Sequence, residues 1–320
     1  MNKTKFKAFI LILAIVILGA FFIKYDNKQS KELESNNYII DNYVDLVISD
    51  EINKLDEEFV ENIKQTAKDN LSSTKSEDKV KANYILGCLN TLNGENEKAI
   101  KQLEEATQLF DYKTESKLKV WVNYQLSELY IYNGDYDKSN ELYNKAIEIC
   151  KKEYTKEGLV DLYMRGSLYK INTPGGMSEA VKLSDKGLDL AKEINYKLAH
   201  AYSNAGVTNA MAGNTIHSIQ YQLSAIDLAK EKGIKDLEVK NIVDIAINYV
   251  DLGNYDEAIR YLKESLKYTT DGYLQSYAMV NLAEAYIEIN DIENAKKTLD
   301  SLEKNTDSIK EKIKEKTLLL

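Results

Sequence analysis

The chain has 320 residues, 44% of them hydrophobic, and a net charge of −9. This is enough length and apolar content for two ordinary domains or one elongated one, while the acidic balance argues against a nucleic-acid surface, which needs clustered cations. A single proline, Pro174, leaves the chain able to be helical nearly throughout, because proline ends helices.

The N-terminus is apolar where the rest is not. Residues 1–7, MNKTKFK, carry Lys3, Lys5 and Lys7, and the sixteen residues Ala8–Ile23 follow without a charge. A membrane span needs roughly 17–25 residues, and Phe6 and Tyr25 at the borders, with Lys7 and Lys24 snorkelling, stretch this one far enough. Segment 8–25 is therefore expected to be a transmembrane helix; a cleaved signal peptide has the same charged start and apolar middle and remains the alternative. In either case the lysines keep 1–7 in the cytoplasm and the remainder is exported. Residues 26–37 read as a polar tether, and 38–78 carry helical spacing suited to an N-terminal capping hairpin.

From residue 79 to 305 the sequence repeats itself. NGENEKAIKQLEEAT at 93–107 is echoed by NGDYDKSNELYNKAI at 133–147 and by LGNYDEAIRYLKESL at 252–266. Small residues mark the register: Ala99, Ser139, Ala180, Ser218, Ala258 and Ala295, separated by 37 to 41 positions. Twelve residues before most of them lies another small one, in Gly87, Ser127, Gly206, Ala246 and Ala283, and seven after lies a third, in Ala106, Ala146, Gly187, Ala225 and Ser265. Between the first two stand Asn93-Gly94, Asn133-Gly134, Gly213-Asn214, Gly253-Asn254 and Asn290-Asp291, residues that tolerate the backbone angles of a tight turn. Two antiparallel helices packing at about 8–10 Å can close up only where Gly, Ala or Ser stands at the crossing. A lone hairpin leaves its apolar face uncovered, so neighbouring hairpins must stack.

These residues resemble the tetratricopeptide repeat, with Tyr130, Tyr169, Tyr249 and Tyr286 in the tyrosine place of the first helix. The spacing departs from the family's typical period of about 34, so the chain is similar to a longer, roughly 40-residue variety. The resemblance implies an all-α fold: a right-handed α-solenoid of about six antiparallel helix hairpins, here preceded by the N-terminal transmembrane helix. It also implies a concave wall of first helices along which a protein or peptide lies. Carried onto this sequence, one row of that wall is Tyr84, Tyr124, Tyr163, Ser203, Val243 and Val280, and the row beside it is Lys81, Trp121, His200, Lys240 and Tyr277. Tyrosine and tryptophan recur at binding hot spots, although tyrosines stacked between hairpins as spacers are the competing reading. Residues 306–320 fall where the first helix of a further hairpin is due to start.

Catalytic chemistry is not legible. His200 and His217 have no metal-ligand or general-base companions, Cys88 and Cys150 lack a nucleophile pattern and read as small buried thiols, and no cofactor motif occurs. The expectation is a non-enzymatic, membrane-anchored scaffold outside the cytoplasm that binds a protein or peptide, without nucleic acid, metal or cofactor. The alternative is a sensory region similar to the extracytoplasmic repeats of bacterial diguanylate cyclases and histidine kinases, without their output domain. Oligomeric state is left open.

Overall fold

In the computed structural model, which describes residues 43–44, 57–269 and 272–317, every regular element is an α-helix and no strand occurs among the described residues. The segments 1–7, 8–25 and 26–37, and most of the first half of the expected capping hairpin, lie outside them. No helix among the described residues is long and apolar enough to cross a membrane.

The chain divides into two compact units, Met1–Gly158 and Leu159–Leu320. In the first, α1 (Glu57–Asn70) packs against α2 (Ser76–Leu92), and α2 pairs with α3 (Asn96–Gln108) as α4 (Ser116–Tyr132) pairs with α5 (Tyr136–Glu153). The second contains four successive pairs: α6 (Lys156–Ile171, which straddles the unit boundary) with α7 (Met177–Ile194), α8 (Leu198–Met211) with α9 (Thr215–Glu231), α10 (Lys235–Asp251) with α11 (Tyr255–Tyr268), and α12 (Gly272–Glu288) with α13 (Ile292–Thr317).

Each pair closes on the small residues of the repeat. Gly87, Ala99, Ala106, Ser127, Ser139, Ala146, Gly206, Ser218, Ala225, Ala246, Ala258, Ala283 and Ala295 are all buried. Geometry shows why they are small. A Cβ placed on Gly87 would stand 2.6 Å from Leu103 Cγ, and one on Gly206 would stand 2.5 Å from Gln222 Cγ. Where serine takes the place, its hydroxyl is satisfied within the crossing: Ser139 Oγ on α5 donates to the Ser127 carbonyl on α4 at 2.8 Å. That bond meets the requirement that buried polar groups find partners and ties the two helices together.

The turns end one helix and start the next. The amide two residues past Asn93 reaches back five positions, Glu95 N–H to Asn90 O at 2.9 Å, and the same bond recurs from Asp135 to Tyr130, Asn214 to Asn209, Asn254 to Tyr249 and Asp291 to Tyr286. This is the Schellman arrangement, whose left-handed residue favours glycine. Gly94, Gly134, Gly213 and Gly253 supply it with φ between 70° and 78°, and Asn290 supplies it at 60° in the last turn. Asp135 and Asp291 then accept from the amides of Lys138 and Asn294, capping the helix that follows.

The tyrosine place is filled by packing. Tyr130, Tyr169 and Tyr286 are buried, and each ring has a lysine over its face: Lys138 at 4.1 Å, Lys170 at 5.5 Å and Lys263 at 5.4 Å from the ring centroid. Tyr130 also donates its hydroxyl to Glu104, which pairs with Lys138 at 2.9 Å, so the first two hairpins are bridged by one aromatic and one ion pair.

One boundary differs from expectation. Residues 306–317 do not begin a new helix; α13 runs unbroken from Ile292 to Thr317. The stretch LEKNTDSIKEK has neither glycine nor proline to stop it, and Asn305 alone does not make a turn.

The closeness of these crossings yields a test. Ala258 is fully buried, so Ala258→Leu overpacks its crossing and is expected to cost about 1–3 kcal/mol, whereas Leu252→Ala at the exposed turn stays within about 0.5 kcal/mol. Urea denaturation of the two variants measures both; equal midpoints would mean that Ala258 does not sit at a close approach.

Candidate functional site

Binding needs surface, and the two expected rows fare differently. Tyr84, Tyr124, Tyr163, Ser203 and Val243 are buried, as are Lys81 and Trp121. These side chains do not line an open wall. Tyr84 and Tyr124 are among the largest fully buried side chains of the chain. Tyr124 meets Trp121 edge-on at 5.7 Å and Tyr143 at 6.4 Å between ring centroids, geometries that aromatic pairs favour in cores. Tyr163 lies against Gly187, and Val243 belongs to a core cluster with Ala278, Leu282 and Ala295. Lys81 survives burial by pairing with Glu77 at 2.7 Å. These members were displaced because the residue three positions before the small one at the crossing is sealed wherever a following hairpin packs on it, as at Tyr84, Tyr124, Ser203 and Val243.

The remaining four members reach the surface: Val280 is about half exposed, and the other three mark out a stripe. His200 and Tyr277 are exposed and Lys240 is half-buried. They start a face of the second unit that the sequence reading missed. From His200 the positions at four, seven and eleven residues are Asn204, Val207 and Met211; from Lys240 they are Asp244, Ile247 and Asp251; from Tyr277 they are Asn281, Glu284 and Glu288. All but Asn204 are half-buried or exposed, and Met211 is 58% exposed. This is one stripe per first helix. Helices α8, α10 and α12 touch in succession, so the three stripes adjoin as one wall. The signal was present in the sequence: a polar or mixed stripe at helical spacing, one helical step around from the tyrosines.

The wall is chemically graded. On α8 it is apolar around Val207 and Met211; Asn204 is held inward, its amide donating to the Met164 carbonyl at 2.9 Å while its oxygen accepts from Ser167 at 2.9 Å. On α10, Lys240 and Asp244 form an ion pair of 2.7 Å. On α12, the Asn281 amide donates to the Tyr277 carbonyl at 2.8 Å, and the stripe ends in the exposed acids Glu284 and Glu288. Apolar side chains beside a charge pair and amide groups suit an extended peptide, which offers alternating side chains and backbone polar groups. No group of three histidine, cysteine, aspartate or glutamate side chains that could hold a metal ion occurs among the described residues.

His200 has a distinct electrostatic setting. Although the residue reaches solvent, partial desolvation of its ring, then the positive fields of Lys197 and Lys232, hold the imidazole below the usual 6.5, opposed by Asp161. Lys197 itself pairs with Asp161 at 2.9 Å, and Tyr196 donates to the same carboxylate at 3.2 Å. Because the folded state disfavours the protonated ring, the unfolded chain binds the proton more readily. Stability is thus complete above about pH 6.5 and declines as pH falls through the depressed folded value. His200→Gln is expected to flatten this limb of the melting-temperature profile between neutral pH and the carboxylate range; an unchanged slope would show that the ring titrates as in water.

With this geometry in hand, the chain can be set beside known proteins. A tetratricopeptide-repeat model matches residues 80–111 and 122–153, and a second matches residues 249–308. Tetratricopeptide repeats are thus present in both units. No curated protein sequence matches the chain. Among solved structures, it is similar to a signal transduction ATPase with numerous domains from Pyrococcus horikoshii that has a tetratricopeptide repeat sensor, with 22% identity, a TM-score of 0.67 and coverage of 85% of this chain and 42% of that one. The chain therefore spans about two-fifths of that protein's length. It is also similar to a Rap protein solved in complex with Competence and Sporulation Factor (14% identity, TM-score 0.55, 93% of each chain). A third is NprR in complex with its cognate peptide NprX (14% identity, TM-score 0.53, 84% of this chain and 77% of that one). At such identities the likeness is one of fold.

Proposed function

We propose that this repeat-bearing chain is a non-enzymatic scaffold that binds a peptide or an extended protein segment along the wall of α8, α10 and α12. The observation carrying this reading is that α8, which bears the accessible apolar residues Val207 and Met211, touches α10, which bears the Lys240–Asp244 pair. A ligand strand crossing from α8 to α10 meets an apolar surface and then a cation and an acid 2.7 Å apart, which can exchange their mutual pairing for bonds to backbone or charged groups. The fold it shares with NprR, solved with its cognate peptide, supports a peptide as the ligand class.

The test uses the full chain in detergent against a displayed library of random peptides. Selected peptides should bind Met211→Ala combined with Lys240→Ala at least tenfold more weakly, while Tyr124→Phe, a change in the interior, leaves affinity in place. Equal affinity for the double variant removes the wall as the site.

We further propose that Ala8–Ile23 holds the scaffold to a membrane with residues 1–7 in the cytoplasm and the repeats outside, on the strength of the lysine-flanked apolar run. In intact cells the protein should sediment with membranes and be digested by added protease; recovery in the soluble cytoplasmic fraction would contradict this placement.

A further inference from the structure

Among the described residues, the hairpin of α12 and α13 leaves open a face that the hairpin before it has covered. Shifting by 37 positions maps α10 and α11 onto α12 and α13: Val243 onto Val280, Val250 onto Ile287 and Leu262 onto Leu299. In α10 and α11 these residues belong to, or pack on, the core cluster shared with α12 and α13. Val243 and Leu262 are 0% exposed, whereas Val280 and Leu299 are 49% and 45% exposed. Ile287 is half bare as well. The same register and the same chemistry are thus sealed in one hairpin and uncovered in the next. Contiguous apolar area of this kind marks an interaction surface.

The differences between the two hairpins say what fits. Ile247 is replaced by Glu284, Ile259 by Lys296 and Leu266 by Glu303. Acids and a base now surround the apolar centre, which is the anatomy of an interface between separate molecules rather than of a continuous core. All three charges are outside the residues that hold an ion pair among those described. In a two-fold pairing, each copy presents the same patch, and residue i of one meets residue j of the other while j meets i. Lys296 of each copy can then face Glu284 or Glu303 of the other, which makes two symmetry-related ion pairs and leaves one carboxylate per copy in water at the rim.

We infer that the outer face of α12 and α13 is a self-association surface whose occupant is the same face of a second copy of this chain. Size sets its strength. The 17 residues of α12 span about 25 Å at roughly 1.5 Å per residue. Two helices side by side, each about 10 Å wide, give a face of about 500 Å² per copy. A pair then buries about 1,000 Å², the lower edge of specific interfaces, so the dimer is reversible and concentration-dependent.

Sedimentation equilibrium of the full chain in density-matched detergent tests this. The wild type should pass from monomer to dimer as concentration rises through the micromolar range. Val280→Glu should weaken that association at least tenfold with helicity and melting unchanged, since the site is already half exposed. Lys296→Glu alone should weaken it too, and Lys296→Glu with Glu284→Lys should restore it. A chain monomeric into the sub-millimolar range, whose face is then open to some other partner, overturns the proposal. So does a dimer indifferent to Val280→Glu, which would point to association through another part of the chain, such as its apolar N-terminus.

Discussion

The structure depends on how closely two helices of a hairpin can approach. At Gly87 and Gly206 the facing side chain stands within 2.6 Å of where a Cβ would be, so the crossing has no room for even a methyl group without movement. Close approach lets the large residues on either side, such as Leu103 and Leu262, interlock and become fully buried. Each such side chain contributes about 1.5–3 kcal/mol when removed from water. A hairpin joined by a turn of about three residues gains little from its own backbone bonds, so these contacts, repeated in every pair, hold each unit together. Turns and caps serve the same geometry: a left-handed Gly or Asn stops the first helix where the second must start if the small residues are to meet.

This constraint also decides which surfaces are available. Once the crossing residues are set, the residue three positions earlier on a first helix that a following hairpin covers, such as Tyr84, Tyr124 or Val243, turns inward and becomes filler. Tyr84 and Tyr124 are sealed for this reason, despite a composition that suits a binding surface. The stripe that stays accessible, from His200 to Met211 and from Lys240 to Asp251, is less aromatic and more mixed. Its ion pair and apolar patch are properties of adjoining helices, since no single helix carries both. In such an array, altered side chains on that stripe change the wall without disturbing the crossing.

Much of this was legible in the residues. The thirteen small positions, the Asn-Gly turns and the hairpin pairing follow from periodicity, and periodicity reflects side-chain size, which each residue carries with it. The tyrosines misled because a large ring with a polar tip serves equally well in a core that can satisfy its hydroxyl, as Tyr124 does by donating to Glu128 at 2.6 Å, and on a surface that meets a partner. The start of a new helix at 306 was inferred from the repeat count, whereas the local residues between Leu302 and Thr317 contain nothing to end α13.

What the sequence determined by itself is therefore the set of contacts inside each hairpin: which small residues face which large ones, and where the chain reverses. What only the tertiary structure decided is which flank of each helix is covered. Val243 and Val280 share a residue type and a register, yet one is 0% and the other 49% exposed. The difference comes from the presence of a neighbouring hairpin. Burial belongs to the assembly of helices, and no local pattern of residues encodes it.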